Sequence, residues 1–141
     1  MSLSKYSREI TYISWFKDLT HKGIEIAGGK NVSLGELITN LPNVKVPNGF
    51  AILTSAYNEF LDFNELTDFV NNAIRNLPKD FVEIKRVGMS IRTKISNGIM
   101  PPQIKEKILN NYYKLSKQYL DNNGLPQEYT DVAIRSSATV E

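Results

Sequence analysis

The chain has 141 residues, 41% of them apolar and 23% charged, with a formal net charge of +2 and a single histidine. That supplies enough apolar material for one buried core, and the interspersed acids and bases argue against a nucleic-acid-binding face. The absence of cysteine excludes disulfides and thiolate metal sites, and one histidine excludes a histidine-rich zinc site within the chain.

No weight is placed on Met1-Ser2-Leu3. The N-terminus lacks the apolar core of a secretory signal, and no later run is long enough to cross a bilayer, so a soluble, cytoplasmic protein is expected. Thr11 to Phe16 (TYISWF) is β-branched and aromatic, as an extended segment requires. DLTHKGIEIAGGK after it reads as loop, with a short strand at Ile24 to Ile26. A helix is expected from Lys30 or Asn31, because Leu34, Leu37, Ile38 and Leu41 fall at i, i+3, i+4 and i+7; Pro42 ends it. The turn Pro47-Asn48-Gly49 leads into a buried strand, Phe50 to Leu53, after which Thr54 or Ser55 caps a helix through Leu61.

Leu66, Phe69, Val70, Ala73, Ile74 and Leu77 predict a third helix, closed by Pro78. A fourth spans Phe81 to Ile95 with Ile84, Val87, Gly88, Ile91 and Ile95 inward. Pro101-Pro102 opens a fifth, lined by Ile104, Ile108, Leu109, Leu115 and Tyr119 and stopped by Asn122-Asn123-Gly124. Val132-Ala133-Ile134 is then an apolar strand that delivers Arg135, and the ending DVAIRSSATVE directly after it has the look of a cut. The pattern predicts a single mixed α/β domain over 1–141, a mixed sheet with a helical insertion at about 64–123.

Two stretches carry chemistry. In AGGKNVSLGEL, Gly28 and Gly29 let the backbone approach an anion at a helix start, and Lys30 adds a movable charge in a turn where a cation is unfavourable unless something negative joins it. The stretch is not a P-loop, because Ile24 and Asn31 stand where GxxxxGK[ST] needs glycine and a hydroxyl. By itself GGK also fits a plain flexible turn. Arg135, directly after an apolar triplet, suits bidentate phosphate binding, with Ser136 and Ser137 as further donors; the alternative is an ion pair with Asp131 or Glu141. His21, in the polar loop LTHKG, reads as a solvated surface histidine. Tyr112, Tyr113 and Tyr119 read as helix-packing residues, and Asp62, Glu65 and Asp68 as a solvated acidic stretch.

GGKNVSLGEL, VPNGFAILTSAYNEFL and VAIRSSATVE, in this order and preceded by YISWFKDL, closely resemble the start of the phosphoenolpyruvate synthase (pyruvate, water dikinase) family. The superfamily also holds pyruvate phosphate dikinase and rifampicin phosphotransferase. The resemblance runs from about Thr11 to Glu141 and implies the N-terminal portion of an ATP-grasp-type nucleotide-binding domain. It further implies that Lys30 and Arg135 contact the phosphates of ATP, that Gly28, Gly29, Ser136 and Ser137 support them, and that Mg2+ is held by ligands beyond this chain. A phosphohistidine domain and a pyruvate-binding domain are expected as partners downstream, and the 141 residues alone are expected to be inactive. Asn31 and VPNGFA favour the synthase over an antibiotic phosphotransferase of the rifampicin type, and pyruvate phosphate dikinase is a further alternative within the superfamily. A non-catalytic nucleotide-binding or interaction domain is the reading of another class.

Overall fold

In a computed structural model of the chain, residues 10–19, 23–41 and 43–139 are described. His21, Pro42 and Glu141 lie outside the described residues, and so do the expectations attached to them. Two short strands, β1 (Ile13–Trp15) and β2 (Phe50–Ile52), pair antiparallel with Ile13 opposite Ile52 and Trp15 opposite Phe50. Their aromatic ends meet edge to face, with the Trp15 and Phe50 rings 5.7 Å apart, a favourable cross-strand pair.

A 3-10 turn (Phe16–Asp18) follows β1, and six α-helices complete the described elements: α1 (Ile24–Ala27), α2 (Gly29–Asn40), α3 (Thr54–Phe63), α4 (Thr67–Arg75), α5 (Phe81–Ser96) and α6 (Pro102–Ser116). The helical middle expected from periodicity is present, and its ends follow local chemistry. The Asp80 carboxylate accepts from Val82 N at 3.0 Å and caps α5, and Pro101 precedes α6 with Pro102 in its first turn. Neither Thr54 nor Ser55 caps α3; the Ser55 hydroxyl donates to the Thr11 carbonyl at 2.5 Å and ties α3 to the segment entering β1.

Three apolar clusters hold these elements. Leu19, Ala27, Ala51 and Leu53 join α1 to β2, with Phe16 against them. Tyr12, Ala56 and Ile104 join β1, α3 and α6, and Leu61, Leu66 and Val70 join α3 to α4 with Ile91 and Ile95 of α5 alongside. Trp15 Nε1 donates to Asn111 Oδ1 at 3.0 Å and fastens the sheet to α6.

Four sequence expectations are corrected. Ile24 to Ile26 is helical: Gly28 N bonds back to the Ile24 carbonyl at 2.8 Å, closing one turn in place of pairing with a strand. Val132 to Ile134 forms no strand; Ile134 is 93% exposed, because no described strand lies beside it to take up its ladder bonds and apolar face. The deepest face of α2 is Val32 and Gly35, while Leu37 and Leu41 are exposed: a Cβ on Gly35 would lie 2.8 Å from the Leu19 carbonyl oxygen, so the absence of a side chain sets how closely α2 meets the preceding turn. Finally, α6 ends at Ser116 and leaves Leu109 and Tyr119 largely exposed. Among the described residues no helix is long and apolar enough to cross a membrane.

Candidate functional site

Gly28 is the joint between α1 and α2, at φ 81° and ψ 155°, a region that side chains beyond glycine scarcely enter. This conformation turns the backbone so that α2 starts with neither a capping side chain nor an acid in its first turn. A helix start of that kind carries partial positive charge with nothing of its own to balance it.

The other end of the chain comes to this joint. Gly29 N donates to the Ala138 carbonyl at 3.2 Å, and a Cβ on Gly28 would lie 2.7 Å from that same oxygen and overlap the Ser137 hydroxyl. The two stretches singled out by sequence therefore touch through backbone. The approach that glycine permits is used by protein as well: the Gly29 amide is bonded to Ala138 and is not turned toward a ligand.

Ser137 Oγ is buried in this contact without a hydrogen-bond partner, an uncommon state for a hydroxyl. Lys30 follows in the first turn of α2, and its side chain is exposed. Arg135 and Ser136 are exposed too, and among the described residues Arg135 makes no ion pair with Asp131. The apolar triplet before Arg135 does not shield it from water, since Val132, Ala133 and Ile134 are themselves exposed. The site thus has an exposed guanidinium with no ion pair among the described residues, close in sequence to a buried unsatisfied hydroxyl at a helix start. That arrangement fits an anionic group with several acceptor oxygens.

Among the described residues no cluster of three His, Cys, Asp or Glu side chains could hold a metal ion. Asp62, in the acidic stretch, accepts from the Thr67 hydroxyl at the start of α4. A groove of about 810 Å³ runs beside the joint: it is apolar, includes Ile26, Leu53, Phe60, Met100 and Ile104 in its wall, and meets the site at Ala27 and at Ser137 to Thr139. The sequence offered the glycines, Lys30 and Arg135 as signals. It offered none for the burial of Ser137, which arises from a contact between chain ends.

Comparison with known proteins bears on the same residues. Residues 24–141 match the family described as pyruvate phosphate dikinase, AMP/ATP-binding domain. The chain is 40% identical over 132 residues to phosphoenolpyruvate synthase of Aquifex aeolicus, covering 92% of this chain and 15% of that protein. It is 38% identical to the Neisseria meningitidis enzyme of the same name and 34% to that of Escherichia coli, each over 92% of this chain and 16% of the relative. The chain thus spans about a sixth of the length of the curated relatives it matches. With the family match extending over both the glycine joint and the Arg135 segment, the chain belongs to the pyruvate phosphate dikinase AMP/ATP-binding domain family.

Proposed function

We propose that this chain is the phosphate-binding front part of an ATP-dependent dikinase of the phosphoenolpyruvate synthase type, its domain of ATP-grasp architecture and its setting the cytoplasm. The observation that carries the reading is the contact of Gly28 and Gly29 with Ser137 and Ala138, which joins two distant motifs at an unbalanced helix start. In this reading Lys30 and Arg135 neutralise the phosphates of ATP, and Ser136 and Ser137 donate hydroxyl hydrogen bonds. Gly28 and Gly29 keep the joint free of side chains. Catalysis by such groups is electrostatic: they hold the phosphates in line and offset charge that builds on the transferring group.

The phosphoryl group would pass to a histidine on another domain of the longer protein and then to pyruvate. The relatives named above, all phosphoenolpyruvate synthases, support pyruvate over an antibiotic as acceptor. Magnesium is assigned to groups outside the described residues. Alone, with two cations and no metal-ligand cluster among the described residues, the chain should bind ATP only at about the millimolar level, roughly 4 kcal/mol.

The test is Lys30→Met and Arg135→Ala in the full-length enzyme. Each removes a charge-assisted contact of about 1.5 to 3 kcal/mol, which lowers kcat/KM for ATP roughly 10- to 100-fold. Both side chains are exposed, so melting temperatures should hardly move. Unfolding in place of lost phosphorylation would make the two residues structural and end the proposal.

A further inference from the structure

We infer that Tyr112 is a positioning residue for Arg135; the inference rests on the phosphate-site reading above. Tyr112 lies on α6 and its hydroxyl holds the backbone of one residue at both of its polar groups, donating to the Thr130 carbonyl at 2.8 Å and accepting from Thr130 N at 3.2 Å. One hydroxyl thereby fixes the direction of the backbone at Thr130, much as a ladder partner in a sheet would. The approach to this clamp is itself held. Asp121 Oδ1 accepts from Asn123 N and Leu125 N, Leu120 bridges to Pro126, and Gln127 N donates to the Tyr119 carbonyl at 2.9 Å. The Tyr113 ring, packed edge-on to Tyr129 at 6.1 Å, adds an apolar contact beside it.

Beyond Thr130 these attachments stop. Among the described residues, Val132 to Arg135 is exposed chain outside any helix or strand, and the next backbone tie is the Ala138 carbonyl at Gly29. Arg135 therefore sits on a span anchored at one end by Tyr112 and at the other by the glycine joint. A guanidinium on a span with both ends fixed explores few positions. Releasing one end transfers the work of ordering the span to the moment the nucleotide binds, and affinity falls accordingly. Tyr112 touches no phosphate in this scheme; it acts only through Arg135.

The experiment is a double-mutant cycle in the full-length enzyme with Tyr112→Phe, which keeps the ring and removes both hydrogen bonds, and Arg135→Ala. Tyr112→Phe should raise KM for ATP about fivefold, leave KM for the acceptor unchanged, and speed amide exchange across residues 131–137. In the Arg135→Ala background the same change should alter KM for ATP less than about twofold, because the guanidinium that the clamp positions is gone. An equal loss in both backgrounds, or an unchanged KM for ATP while Arg135→Ala alone is impaired, overturns the role of Tyr112 and leaves the phosphate site standing. An Arg135→Ala enzyme with unaltered ATP kinetics removes the phosphate-site reading and the inference with it.

Discussion

Replacing Gly28 with alanine tests the joint on which the site depends. At φ 81° and ψ 155° an L side chain is strained by about 1 to 3 kcal/mol before any neighbour is considered. The new methyl would also lie 2.7 Å from the Ala138 carbonyl oxygen, a backbone atom that cannot rotate away, and against the Ser137 hydroxyl, which can. The structure has two responses. It can hold the contact and bear the overlap, or it can let Ser137 to Thr139 lift off, losing the Gly29 to Ala138 hydrogen bond, worth about 0.5 to 1.5 kcal/mol net. Lifting off is the cheaper course, so the total should be about 2 to 4 kcal/mol, the larger share from backbone strain that detachment does not relieve. Urea unfolding reads the total, and amide exchange at Gly29 reads whether the segment has lifted. A Gly28→Ala protein within about 0.5 kcal/mol of the parent, with Gly29 as protected as before, would show that the joint tolerates a side chain and would refute this account.

Ile104 is 1% exposed in the cluster joining β1, α3 and α6, and Ile104→Ala should cost about 2 to 5 kcal/mol in urea unfolding by opening a cavity there. Gly35→Ala gains about 1 kcal/mol of helix propensity, yet drives a methyl into the carbonyls of Phe16 and Leu19, so thermal melting should show a net loss of about 1 to 2 kcal/mol. Hydrogen bonds from the backbone N–H groups of Leu125 and Asn123 hold the Asp121 carboxyl below the usual carboxylate range. A depressed folded pKa contributes stability that is present above the ordinary carboxylate value and is lost as pH falls through the folded one. Protection of the Leu125 and Asn123 amides, relative to their intrinsic exchange rates, should therefore fall as pH drops below the ordinary carboxylate value, and Asp121→Asn should abolish that pH dependence.

The helices were legible because their signal is local. Leu66, Phe69 and Val70 must lie on one face if the segment is helical, and Pro78 and Pro101 bound their elements by their own covalent geometry. The same reasoning misjudged Ile24 to Ile26, where alternation of apolar and acidic residues suits a strand, but so few residues also fit a single helical turn. Val132 to Ile134 shows the limit from the other side. A β-branched apolar run is suited to a ladder, yet whether it joins one depends on a partner far away in sequence, and no such partner stands beside it among the described residues. At the candidate site the residues alone marked Gly28 and Gly29 as a place where backbone can approach an anion, with a plain flexible turn equally open, and Lys30 as standing in a turn short of negative charge. The packing of the fold shows that the approaching group is Ser137 with Ala138, and that the Tyr112 hydroxyl on α6 bonds the Thr130 backbone. Contacts between the two ends of a chain depend on how every element in the middle packs, and no local pattern of residues encodes that sum.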